Sequence, residues 1–139
     1  MADIIVEVRQ FDKSATSEGS VRGHRVLIDR PEDKGGLDRG PMGGEMLLLA
    51  LGGSFMSNLI AAAKARNVVL EDLAVTVEGK LASAPPRFES IAMVVQGRAP
   101  DDATMDKLVD ISERGCIVHN TLKAALPLSV QRALGVAKR

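Results

Sequence analysis

The chain has one cysteine, Cys116, and two histidines, His24 and His119. Cys116 follows Gly115 directly, with Arg114 just before it and His119 three residues on. Glycine at that point stops one helix, which puts Cys116 at or near the first turn of the next. Unpaired N–H groups and the positive helix end stabilise a thiolate there. A histidine three residues along reaches the same helix face, and an adjacent arginine adds positive charge. That is the chemistry of a reactive thiol. The same position also suits a small buried hydrophobe, which free cysteines often are.

Cys116-x-x-His119 is half a metal site at most. Structural zinc takes about four such ligands and catalytic zinc about three, and only His24 and scattered carboxylates remain. No metal and no cofactor is expected. Gly35-Gly36 and Gly43-Gly44 flank a loop without a Gly-x-Gly-x-x-Gly or P-loop frame. Ser54, in Gly52-Gly53-Ser54-Phe55-Met56, lacks the second glycine of a nucleophile elbow and has no base beside it. A helix serine filling a small space is the simpler reading.

These residues need elements to hold them. At 139 residues, 45% hydrophobic and 26% charged, the chain reads as one soluble globular domain over 1–139. Zero formal net charge gives no field for nucleic acid or an anionic membrane surface. Three Phe with no Trp or Tyr leave little for base stacking. The N-terminus reads as a strand rather than a signal peptide, and a lone thiol suits a reducing compartment. A cytoplasmic location is expected.

Ile4, Val6 and Val8 alternate with Ile5, Glu7 and Arg9, a strand pattern. A turn at Gly19-Ser20 leads to a second strand over about 21–29, with Arg22, His24, Val26 and Ile28 on one face. Residues 33–44 form a Gly- and Pro-rich loop. Met46 to Ala63 is eighteen residues without a charge, long enough to span a membrane. Gly52, Gly53, Ser54, Ser57 and Asn58 dilute it, so a core helix over about 45–66 is expected. A helix apolar on nearly every side of so small a protein predicts burial between two subunits. Two alternating strands follow, about 73–80 and 88–98, the second with Ile91, Met93 and Val95 on one face. Asp101-Asp102 starts a helix that turns Met105, Leu108, Val109 and Ser112 inward and stops at Gly115. A short helix from Cys116 to about Ala125 and a strand with Leu128 and Val130 complete an α+β order, with helices on a mostly antiparallel sheet.

The run Ile28-Asp29-Arg30-Pro31 through Gly35-Gly36-Leu37-Asp38-Arg39-Gly40-Pro41, then Glu45 to Gly53, resembles the OsmC/Ohr family. So does Arg114-Gly115-Cys116-Ile117-Val118-His119-Asn120-Thr121-Leu122. The resemblance covers roughly residues 20–130. It implies an OsmC-like fold with an intertwined homodimer, central helices at the interface and active sites built from both subunits. It also implies descent from two-cysteine thiol peroxidases that reduce organic hydroperoxides in the oxidative stress response.

Cys116 matches the family's resolving cysteine, with Ile117 where the family has proline. Ser54 stands at the position of the peroxidatic cysteine. A serine hydroxyl neither ionises near neutral pH nor forms a sulfenic acid, so two-cysteine turnover is chemically excluded. Glu45 matches the family's glutamate, which partners an arginine; Arg22 and Arg39 are the two candidates. Glu45 also fits a first-turn carboxylate on the helix dipole. Nine residues put Glu45 and Ser54 about half a turn out of phase, unless Gly52-Gly53 breaks the helix or a partner subunit supplies one of them. Two readings follow. One is an OsmC-like dimer binding an apolar or peroxidised small molecule or a partner. The other is a one-cysteine enzyme using Cys116 with an external thiol.

Overall fold

The computed structural model describes residues 2–133. The order is β1 (Glu7–Gln10), β2 (Ser17–Val21), β3 (His24–Ile28), a 3-10 turn (Glu32–Lys34), α1 (Gly43–Ala65), β4 (Glu71–Ala82), β5 (Arg87–Arg98), α2 (Asp102–Gly115), α3 (Ile117–Leu122) and β6 (Leu128–Arg132). The chain forms two compact units, Met1–Leu47 and Leu48–Arg139, each with its own three-stranded sheet.

In the first unit β1, β2 and β3 are antiparallel in that order. Here the structure corrects the sequence reading. The expected single strand over 21–29 is the end of one strand and the whole of the next. The turn falls at Arg22-Gly23, with Val21 paired to His24. Both turn residues have positive φ, 50° and 84°, the geometry of a type I′ hairpin whose twist matches its strands. Arg22 is therefore an exposed turn residue, not part of one strand face with Val26 and Ile28. Ile4 and Val6 lie outside β1, 80% and 61% exposed.

No hydrophobic side chain of this unit is buried among the described residues; its buried side chains are Thr16 and Asp29. Asp29 ties the unit together. Its carboxylate accepts from Thr16 Oγ1 at 2.7 Å and from the backbone N–H groups of Arg30, Leu37 and Arg39 at 2.7, 3.4 and 3.2 Å. The Thr16 bond, with the three amides adding, holds its carboxyl below the ordinary range against the opposing effect of burial. A carboxyl depressed in the folded state stabilises fully above its unfolded pKa, about 3.9. That stability is lost as pH falls through the lower folded value. Asp29→Asn is thus expected to lower the urea midpoint at pH 7 and to flatten its decline between about pH 4 and pH 2. An unchanged acid slope would contradict this role.

In the second unit β4 and β5 are antiparallel, and β6 joins β5 in parallel. Ile91, Met93 and Val95 alternate along β5 and are all buried, as the period of two requires. On α1, Leu51, Phe55, Leu59, Ala62 and Ala63 recur at helical spacing and are buried against them in one core. Gly52 has a packing reason: a Cβ there would come within 3.0 Å of Val77 Cγ2, so the helix lies close to β4. α1 runs unbroken through Gly52-Gly53. Part of its remaining surface is apolar yet open, with Leu49 61% and Ile60 51% exposed.

α2 begins as expected. The Asp101 side chain caps it by accepting from Thr104 N at 2.7 Å. Met105, Leu108, Val109 and Ser112 are its buried residues, and it ends at Gly115. Arg132 of β6 reaches back to Asp102 and Asp106, at 3.2 and 2.9 Å, and fastens the last strand to this helix.

Candidate functional site

Two residues 62 apart in sequence meet where α1 passes the junction of α2 and α3. The Cys116 thiol donates to Ser54 Oγ at 3.3 Å. Cys116 is the N-cap residue of α3, and its sulfur accepts the His119 backbone N–H at 3.4 Å. The expected position at a helix start is observed, with sulfur taking the role an oxygen usually plays. The thiol is 0% exposed. It is thus a packed core residue satisfied on both sides, rather than an open nucleophile.

Its expected helpers are arranged differently from the sequence reading. Arg114 points outward, 79% exposed, and pairs with Asp110 one turn back at 3.2 Å. Gly115 ends α2 between Arg114 and Cys116, so adjacency in sequence does not bring the guanidinium onto the sulfur. His119 is buried at 3% exposure. Its Nε2 lies 3.3 Å from a Glu113 carboxylate oxygen, but without hydrogen-bond alignment. Both ring nitrogens therefore lack a hydrogen-bond partner among the described residues. Glu113 is the neighbour sequence reasoning missed; only the turn between α2 and α3 brings it to His119.

The Ser54 hydroxyl meets a thiol, and no imidazole or carboxylate is hydrogen-bonded to it among the described residues. An activated serine needs such a base. No group of three or more His, Cys, Asp or Glu among the described residues could hold a metal ion.

The other candidate residues lie in the first unit. Glu45 sits in the first turn of α1 and accepts the Met42 backbone N–H at 2.8 Å. That is the glutamate half of a capping box, and it realises the first-turn reading. Because α1 is continuous, a break at Gly52-Gly53 cannot turn Glu45 and Ser54 to one side; nine residues leave them about half a turn out of phase. Arg39 stands in the loop before α1, its guanidinium 5.7 Å from the centroid of the Phe11 ring. Arg22 is an exposed residue of the β2–β3 turn, as described above.

Burial has a direct consequence for labelling. Iodoacetamide at pH 7 should modify Cys116 in the folded chain at least about a hundredfold more slowly than in urea, the reach of a barrier of about 2.7 kcal/mol. Equal rates would mean that the thiol opens readily to solvent.

A long apolar helix packed on a three-stranded sheet, with a serine and a cysteine meeting at its flank, defines an α+β protein. Residues 35–131 match the family described as OsmC-like protein. The chain belongs to that family. No curated protein matches it. Among solved structures it is similar to an OsmC-like protein from Mycoplasma pneumoniae, with TM-score 0.81, 17% identity, and 95% of this chain and 96% of that one covered. An organic hydroperoxide resistance protein OsmC from Legionella pneumophila gives 0.72 and 15%, covering 96% and 98%. An organic hydroperoxide resistance protein from Elizabethkingia anophelis gives 0.69 and 13%, covering 95% and 96%. At these identities the likeness is one of fold.

Proposed function

We propose that this chain is a cytoplasmic stress-response protein of the OsmC/Ohr kind that has left two-cysteine hydroperoxide turnover behind. It acts instead as a homodimer that holds an apolar or peroxidised small molecule. The observation that carries the reading is the 3.3 Å contact between Cys116 Sγ and Ser54 Oγ. The two positions the resemblance pairs are neighbours in space, yet one of them holds a hydroxyl.

In the two-cysteine cycle a thiolate attacks the O–O bond, releases an alcohol and becomes a sulfenic acid. The second thiol then expels water and closes a disulfide, which a dithiol reopens. Oxygen at position 54 cannot enter that sequence. With cumene hydroperoxide and a dithiol reductant, the purified chain should turn over no faster than the buffer control. A rate matching a two-cysteine homologue overturns the proposal. The one-cysteine alternative needs Cys116 exposed, which its burial disfavours.

Dimerisation is supported by what each unit leaves uncovered. A three-stranded sheet needs an apolar face in contact with something to be stable. The first unit instead exposes Ile4, Ile5, Val6 and Val8. The second exposes Leu49 and Ile60 on α1. Sedimentation at low micromolar concentration should give one dimeric species; a stable monomer there removes this part of the proposal.

A further inference from the structure

Arg39 is exposed but unusually constrained. Its backbone N–H is bound by the buried Asp29 carboxylate at 3.2 Å. The preceding residue, Asp38, takes a left-handed φ of 55° and donates its N–H to Arg30 O at 3.0 Å. The following residue, Gly40, lies so close to the backbone of Leu27 that a Cβ would come within 2.2 Å of its carbonyl oxygen. The peptide is thus fixed on both sides and at the residue itself. The Phe11 ring then backs the guanidinium, 5.7 Å from its centroid.

Most other arginines of the described residues spend their guanidinium on a carboxylate or a carbonyl: Arg9, Arg25, Arg98, Arg114 and Arg132 are in ion pairs, and Arg66 and Arg87 bind backbone oxygens. Arg22, Arg30 and Arg39 have neither among the described residues, and of these three it is Arg39 that has an aromatic ring near its guanidinium. A guanidinium carries five N–H donors in a rigid fork that fits a planar carboxylate. With the ring 5.7 Å away and no acceptor on its N–H groups among the described residues, the fork is free, and fixing its backbone removes part of the ordering cost that binding otherwise carries.

We propose that Arg39 is a preset binding group for a planar carboxylate, with Asp29 and Phe11 as its positioning residues. The proposal goes beyond the reading of Ser54 and Cys116 and rests on the first unit alone, so either can fail without the other.

The test is a benzoate titration followed on the arginine side-chain Nε–Hε resonances, at constant ionic strength set with chloride. Benzoate should shift the Arg39 resonance in a saturable way, and Arg39→Gln should abolish the response. Asp29→Asn should weaken it about fivefold or more and remove the ring-current displacement that Phe11 imposes on Arg39. Phe11→Leu keeps the Asp29 bonds, should leave β2–β3 amide resonances in place, and should weaken benzoate in the same direction. Shifts spread over many arginines with no saturation at Arg39 overturn the site. Undiminished binding in both Asp29→Asn and Phe11→Leu overturns the positioning roles.

Discussion

The Ser54→Cys variant is expected to reduce cumene hydroperoxide with a dithiol reductant at least about a hundredfold faster than the unaltered chain, about 2.7 kcal/mol off the barrier. The new thiol enters beside the sulfur of Cys116, where Ser54 Oγ now sits at 3.3 Å. It supplies the one group the chemistry lacks: a thiolate able to become a sulfenic acid. Cys116 then serves as the resolving thiol, so adding Cys116→Ser should slow turnover and leave the sulfenic acid at position 54 to be reduced by the external dithiol alone. Mass spectrometry of the oxidised variant should find a bond joining positions 54 and 116. A folded variant that is inert and forms no such bond would show that the site has diverged beyond its nucleophile, and binding alone would remain.

The second large effect concerns stability. Phe55 is 0% exposed and is the largest fully buried side chain of the described residues. It lies on the face of α1 that also carries Leu51 and Leu59 and packs into the core with Met93 and Val95. Phe55→Ala should cost about 3–5 kcal/mol, from lost transfer energy and the cavity left behind. Urea unfolding at a fixed protein concentration measures it, since a dimer's stability depends on that concentration. Leu49→Ala is the companion. At 61% exposure Leu49 should cost under about 0.5 kcal/mol in a monomer. A buried leucine costs about 2–5 kcal/mol, so a large loss at Leu49 would mean that a second copy covers it. A loss under about 1 kcal/mol at Phe55 would contradict the core described above.

Much of the second unit was legible because its local signals agree with its packing. The Asp101 cap, the spacing of Met105, Leu108, Val109 and Ser112, and the stop at Gly115 all point to one helix, and α2 is that helix. The alternation of Ile91, Met93 and Val95 reports a buried strand face for the same reason. The first unit was harder. Val21-Arg22-Gly23-His24 lacks the Asn-Gly or Asp-Gly signature of a tight hairpin. With no buried apolar side chain on either strand, nothing in the pattern marked where one ended. Asp29 read only as the end of a strand because its donors come from Thr16, Leu37 and Arg39, which only the folded backbone gathers.

The sequence by itself determined the α+β order, the long apolar helix and the absence of a nucleophilic sulfur at position 54, since each depends on residue type and local period. The tertiary structure decided what Cys116 is. A sulfur at a helix start reads from sequence as a reactive thiol. Whether it faces water depends on which helix crosses it, and here α1 brings Ser54 to its donor side while α3 closes the other. It decided equally that His119 is buried beside Glu113, whereas the Arg114–Asp110 pair is a local contact one helical turn long. Direction and burial of a side chain are set by contacts between elements far apart in the chain, which no local spacing encodes.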